Sequence, residues 1–305
     1  MDKILRIATR KSPLALWQAD FVKSQLQFYN PELKVELVKM STEGDRVQNI
    51  PLSKVGGKGL FIKELEIGIL EGRADIAVHS MKDVPYTMPN EFELGAILKR
   101  ENPFDAFVSN NFNHLDELPQ GGRVGSCSLR RIVQIKSIRP DLTILDLRGN
   151  VNTRLMKLDN GKYDAIILAC AGLIRLGLEE RIKKTIDANT CLPAVGQGAL
   201  GIEIRKNDNY LKELINPLID IKTTTTVLAE RAMNSRLEGG CSVPIAGYAT
   251  IDGEELTLQG MVGNVQSGEI LRAKSTGNIS EPKVLGESLA NKLITMGAKA
   301  LLENA

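Results

Sequence analysis

Two stretches of this chain repeat one order of local structure, and that repetition limits the fold more than any other feature. In the first, Leu5-Arg6-Ile7-Ala8 reads as a short strand and residues 9–12 as a polar turn. A helix follows in which Leu14, Trp17 and Phe21 share a face. Ser12 suits the cap of that helix and Pro13 its first position, where a missing N–H costs nothing. After Asn30-Pro31, the alternation Leu33-Lys34-Val35-Glu36-Leu37-Val38 gives the next strand. In the second, Arg123-Val124-Gly125 leads through Ser126-Cys127-Ser128 into a helix over about Leu129 to Ile138. Arg139-Pro140 and a strand over 142–147 complete the copy. A further echo sets Gly72-Arg73-Ala74-Asp75-Ile76-Ala77-Val78 against Gly161-Lys162-Tyr163-Asp164-Ala165-Ile166-Ile167, each an apolar strand after a turn.

Strand–helix–strand units with nearly continuous apolar strands build parallel sheets covered by helices. The expected fold class is therefore α/β: two such domains facing a cleft, with ligands beyond the carboxyl ends of their strands. A smaller α+β C-terminal domain follows. Its first helix begins near Thr223 and runs to Glu238, stopping at Gly239-Gly240. Strands are expected over 247–251, 256–262 and 270–274, a turn at Asp252-Gly253, and one last helix over 281–302. Domain 1 is placed at 1–98 plus 199–216, domain 2 at 104–192 and domain 3 at 221–305. Hinges fall near 99–103, 193–198 and 217–220.

Composition closes off several functions. A net charge of +2 over 305 residues gives no nucleic-acid character, so any anion recognition must come from local Arg and Lys clusters. The longest nearly apolar run, 165–174, is about half of what a membrane span needs. Four cysteines without a CxxC pair and two isolated histidines give no metal-ligand rhythm, so no metal is expected. Met1-Asp2-Lys3 opens directly into the strand-like residues 4–8, leaving no room for a signal peptide. A cytoplasmic, monomeric protein with free thiols is the expectation.

Polar residues collect where the strands end. Val78-His79-Ser80-Met81-Lys82-Asp83 turns an apolar strand abruptly polar. Leu147 runs into Arg148-Gly149-Asn150, with Arg154 in the helix that follows. Ser126, Ser128, Arg130 and Arg131 stand at a helix N-terminus, Arg10 and Ser12 hold the same place in the first copy, and Arg175 follows the strand 165–169. Guanidinium forks and free N–H groups so placed suit a ligand with several carboxylates. Each arginine taken singly also fits a solvated surface ion pair. Asp83 fits a helix cap, a salt-bridge partner of Lys82, or a carboxylate that accepts N–H groups and steadies a cation. Lys54-Val55-Gly56-Gly57-Lys58-Gly59-Leu60-Phe61 fails the P-loop pattern, since Gly59 follows Lys58. It reads as a basic flap formed by Lys54, Lys58 and Phe61, or as a surface loop. Cys170 and Cys191 read as buried small hydrophobes; Cys241, with the bulk beside it removed by Gly239-Gly240, fits either that or an exposed, reactive or modified thiol. No histidine partner for Cys241 is visible, which argues against a papain-like nucleophile.

Six segments in order resemble the porphobilinogen deaminase (hydroxymethylbilane synthase) family over nearly the whole chain. They are Ala8-Thr9-Arg10-Lys11-Ser12-Pro13-Leu14-Ala15, Val78-His79-Ser80-Met81-Lys82-Asp83-Val84-Pro85, and Ser128-Leu129-Arg130-Arg131. The others are Leu147-Arg148-Gly149-Asn150-Val151-Asn152-Thr153-Arg154, Gly196-Gln197-Gly198-Ala199-Leu200 and Gly239-Gly240-Cys241. The resemblance implies two domains like the halves of periplasmic binding proteins and a third presenting the cofactor loop. It implies a dipyrromethane cofactor held as a thioether on Cys241. The implied reaction is condensation of four porphobilinogen molecules, with loss of ammonia, to hydroxymethylbilane. Asp83 matches the catalytic carboxylate. Lys82, Asp83, Ser128, Arg130 and Arg131 match cofactor-binding groups, and Arg10, Ser12, Arg148, Arg154 and Arg175 match substrate-binding ones. Val195, Ser242 and Cys127 depart from the commonest family wording without removing a charge. The rival reading is a non-catalytic, two-lobed carboxylate-binding or sensor protein, which would have no use for Cys241.

Overall fold

The computed structural model describes residues 4–46, 59, 61–239 and 243–303. The chain first lays down β1 (Leu5–Arg10), β2 (Val35–Met40), β3 (Ile76–Ser80) and β4 (Phe92–Ile97). It then forms β5 (Asp105–Val108), β6 (Arg123–Gly125), β7 (Thr143–Leu145), β8 (Ala165–Ala169) and β9 (Lys184–Ile186). β10 (Leu200–Arg205) comes next, followed by β11 (Ile245–Asp252), β12 (Glu255–Gly263) and β13 (Ile270–Asn278). Two compact units result: Met1–Arg100 with Ala199–Thr224, and Glu101–Gly198 with Thr225–Ala305. The residues expected as the second domain and, from Thr225 onward, those expected as the third share the latter.

The first unit holds a sheet ordered β2-β1-β3-β10-β4. β1 pairs parallel with β2 and β3, while β10 runs antiparallel between β3 and β4, so four strands point one way and one the other. Alternation along the strands sorts the faces. Leu5, Ile7, Ile76, Val78, Leu200, Ile202 and Ile204 pack with Ala19, Val22 and Leu26 of the helix Pro13–Tyr29 and with Leu211 and Ile215 of Asn209–Ile215. Ala8 and Ala77 face the other way, against Leu65 and Ile69 of the helix Lys63–Leu70.

The second unit repeats the plan as β7-β6-β8-β5-β9, with β5 as the reversed strand. Leu155, Leu158 and Leu173 cover one face from the helices Val151–Asp159 and Cys170–Arg175. Ile135 of Leu129–Ile138 covers the other. In each sheet the reversed strand comes directly after the chain has passed from one unit to the other, β5 following Glu101 and β10 following Ala199. The fold is thus α/β twice over, with a smaller α+β part.

That part is the antiparallel sheet β11-β12-β13 under the helices Ile221–Arg236, Pro282–Thr295 and Ala298–Glu303. Two expectations change here. The last helix is two, because Gly297 (φ +106°) takes the left-handed conformation that ends a helix. The stop after the 221–236 helix is not a glycine stop: Glu238 itself is left-handed (φ +55°). Gly239 N–H donates to Asn234 O and Glu238 N–H to Ser235 O, a Schellman pattern. Gly239 is needed one residue later, where a Cβ would overlap the Asn234 side chain. Among the described residues no helix is long and apolar enough to cross a membrane, and no group of His, Cys, Asp and Glu could hold a metal ion.

Candidate active site

β1 and β3 lie side by side and parallel, so both deliver their last residues to one edge of the sheet. After β1 the chain turns sharply. Buried Thr9 ties the turn by donating to Ala15 O at 3.0 Å, and Ser12 caps the helix by accepting from Ala15 N at 3.3 Å. Arg10 is carried by that turn and sits over the Phe61 ring, 4.2 Å from its centroid, a geometry that favours a cation on an aromatic face. After β3, Ser80 accepts from Gln18 Nε2 at 2.9 Å. Met81–Asp83 then forms one 3-10 turn. Met81 and Val84 are buried on either side, which fixes the turn and leaves Lys82 and Asp83 half-buried. Met81 lies against Gly201, where a Cβ would overlap its sulfur. Arg10, Ser12, Gln18, Phe61, His79, Ser80 and Asp83 line one pocket, with Leu14, Ala15, Ile62 and Val78 as its apolar wall. An acid, a cation and hydroxyls therefore share one concave site on the first unit.

The second unit treats its arginines differently. Arg130 and Arg131, expected to offer guanidinium forks to a ligand, are almost wholly buried and already hold a carboxylate. Asp105, at the start of β5 and fully buried, lies 2.8 Å from Arg130 Nη1 and 2.7 Å from Arg131 Nη2. Arg130 also donates to Leu192 O at 2.8 Å, and Arg131 to Ile167 O at 3.0 Å. The two guanidinium charges outweigh burial and hold the Asp105 carboxyl far below the usual carboxylate range. Asp105 carried no signal in the sequence beyond being an acid in an apolar strand. Gln197 joins it at 2.9 Å through Nε2.

Ser128 stands at the N-cap of Leu129–Ile138, but its side chain makes no capping hydrogen bond; its N–H donates to Ser126 Oγ at 3.2 Å. The Leu147–Arg154 motif is a helix start. Gly149 is left-handed (φ +109°) and crowded by Thr153, Asn150 caps by accepting from Thr153 N at 2.9 Å, and Arg154 Nε donates back to Gly149 O at 2.7 Å. Arg148 Nε lies 3.2 Å from the exposed Asp146 carboxylate. Arg175 is buried and donates to Gly198 O at 2.6 Å; burial pulls its guanidinium down to about 10, with the Glu101 charge opposing. Glu230 was also missed: it is buried and accepts from Gly196 N at 2.7 Å and Ala249 N at 2.9 Å, fastening the 193–198 segment to β11. Cys170 and Cys191 are buried as expected, and desolvation pushes their thiols up to about 11 and about 12, which disfavours the thiolate. Cys241, Lys54 and Lys58 lie outside the described residues.

Models of two porphobilinogen deaminase domains match the chain: the dipyrromethane cofactor binding domain over residues 5–213 and the C-terminal domain over 224–295. The chain belongs to the porphobilinogen deaminase family. It is 64% identical over 304 residues to a porphobilinogen deaminase of Vesicomyosocius okutanii, with 100% of both chains covered. It is 65% identical over 304 residues to one of Ruthia magnifica, again with 100% of both covered. Among solved structures, a periplasmic substrate-binding protein of an ABC transporter from Coxiella burnetii is 15% identical at a TM-score of 0.46, covering 70% of this chain and 92% of that one. For a porphobilinogen deaminase, the residues brought together in one pocket are Arg10, Ser12, Phe61 and Asp83. Ser128, Arg130, Arg131, Arg148, Arg154 and Arg175 all belong to the other unit.

Proposed function

We infer that this chain is a transferase that joins four porphobilinogen molecules head to tail, releasing ammonia at each addition, and frees linear hydroxymethylbilane by hydrolysis, water supplying its hydroxyl. The observation that carries the reading is the pocket at the ends of β1 and β3, where Asp83 and Arg10 sit in a chain matched end to end by porphobilinogen deaminases. Breaking the substrate's aminomethyl C–N bond leaves positive charge on its pyrrole. A carboxylate fixed between two buried anchors meets that charge without having to reorganise. The rival carboxylate-binding protein would gain nothing from an acid among its cations.

The dipyrromethane cofactor of this family supplies, when bound, a nucleophilic pyrrole carbon at which the chain begins. The donor set suits its acidic arms and ring N–H groups. Asp83 is an acceptor for the N–H groups, and Lys82, the Ser128 hydroxyl and the N–H edges of Arg130 and Arg131 left over by Asp105 are donors for the arms. Cys241 is the proposed anchor, through a thioether. Arg10 and Ser12 in the pocket, with Arg148, Arg154 and Arg175, are the proposed holders of substrate carboxylates. Lys54, Lys58 and Phe61 are proposed as a flap. The enzyme is proposed to act as a cytoplasmic monomer, organised as 1–98 plus 199–216, 104–192 and 221–305.

Intact mass tests the assignment. Purified protein should exceed its sequence mass by two linked pyrrole units, and Cys241→Ser should lose both that mass and deaminase activity. A fully active preparation at the bare sequence mass would overturn it.

A further inference from the structure

One wall of the Asp83 pocket hides three titratable side chains that the reaction above leaves unused. In the antiparallel pair β3–β10, Gly201 faces His79 and Glu203 faces Ala77, so all four project on the face covered by the helix Lys63–Leu70. His79 Nε2 lies 2.8 Å from Glu203 Oε2, with side chains 4% and 1% exposed. Glu203 Oε1, equally buried, meets no hydrogen-bond partner among the described residues. Glu66, on the helix above, is the acid beside it. Burial and the Glu203 charge push the Glu66 carboxyl up to about 7, against the pull of His79. The other charged groups around this helix include Glu91 ahead of β4, Lys63 and Glu64 on the helix itself, the paired Glu71 and Arg73 just after it, and Arg205 on β10, whose guanidinium donates to Ile69 O and Leu70 O. On β1, Arg6 is held by Asp75 and Arg10 lies over Phe61.

A buried carboxylate and a half-buried one side by side do not both ionise cheaply, since each charge disfavours the other. We propose that His79, Glu203 and Glu66 form a shared-proton cluster that sets the charge behind the Asp83 pocket, with His79 as a positioning residue for the anionic substrate. With Glu66 protonated, the cluster carries one negative charge fewer behind a pocket that already holds Arg10 and Asp83. Once Glu66 ionises, the cluster gains a negative charge that opposes every carboxylate binding there. The effect falls on binding and not on the chemical step, so it belongs in KM.

This inference rests on the pocket being the substrate site, and the test separates the two. In the holoenzyme, KM should rise about fivefold from about pH 6 to about pH 8.5 while kcat follows its own profile. Glu66→Gln should remove the rise and Glu66→Asp should retain it. In the wild-type protein, carbon-13 NMR of labelled glutamate should show a carboxyl titrating near neutral pH, absent in Glu66→Gln. That measurement serves equally if the variant folds poorly. Ordinary titration of every glutamate, or the same rise in KM in Glu66→Gln, would overturn the cluster in an active enzyme. A protein lacking deaminase activity that still shows the raised carboxyl would overturn the functional reading and leave the cluster in place.

Discussion

In both five-stranded sheets one lock joins the first parallel strand to the strand two places on in the fold. Arg6 and Asp75 make it in the first unit: Asp75 N–H donates to Arg6 O at 2.8 Å, and the aspartate accepts from Arg6 N, Nε and Nη2 at 2.8, 3.1 and 3.0 Å. Arg123 and Asp164 repeat it in the second, with 2.9 Å for the backbone bond and 2.7, 3.2 and 2.9 Å for the rest. Each aspartate follows a left-handed glycine, Gly72 (φ +72°) or Gly161 (φ +69°), that ends the preceding helix. The repeated Gly-x-x-Asp is thus scaffold, and it sets strand register twice. Beyond it the units part. The first leaves Asp83 and Arg10 in an open pocket, whereas the second closes Arg130 and Arg131 on Asp105. The copies thus differ in what meets the strand-end arginines: a buried acid from another strand takes part of the donor set of Arg130 and Arg131, whereas Arg10 lies over an aromatic ring.

Asp105 should be the most sensitive point of the comparison. Asp105→Asn leaves two buried guanidinium ions without a counter-charge and should destabilise the second unit by about 3–5 kcal/mol in denaturant unfolding. Because its carboxyl is held below its unfolded value, the stability it contributes is complete above about pH 4 and is lost as pH falls further. An Asp105→Asn protein should show a flatter acid limb. Wild-type stability in that variant would mean the arginines are neutralised by some other group.

Asp83 should give the opposite pattern. It lies in a turn held by Met81 and Val84, so Asp83→Asn should leave thermal unfolding unchanged while turnover falls about 100- to 1000-fold. Asp83→Glu keeps the charge and should retain more activity than Asp83→Asn. If the loss of turnover follows a loss of stability, Asp83 is structural.

The two locks should differ least. Asp75 is the less exposed aspartate, at 15% against 26%, and Arg6 has a further bond to Gly72 O at 2.6 Å. Asp75→Ala should therefore lower the melting temperature more than Asp164→Ala. Added salt should narrow the deficit of Asp164→Ala more, since its arginine is the more exposed partner. Equal deficits at every salt concentration would remove the distinction.

Residues close in the chain carried most of what could be read without a structure. Ser12-Pro13 and Asn150 specify helix starts through bonds three residues long, and apolar strands set between turns specify α/β layers. The echo around Asp75 and Asp164 was legible for the same reason, because a glycine stop and the strand after it are local. What tertiary structure decided lies between strands far apart in sequence. β10 inserts beside β3 only after the chain returns, and that insertion brings Glu203 to His79 across 124 residues. β5 likewise brings Asp105 under Arg130 and Arg131, 25 and 26 residues on. Alternation along a strand says which face a side chain takes, but not which strand will lie beside it. The partner of a buried charge is fixed by strand order, and strand order follows from how helices and loops let the chain cross over.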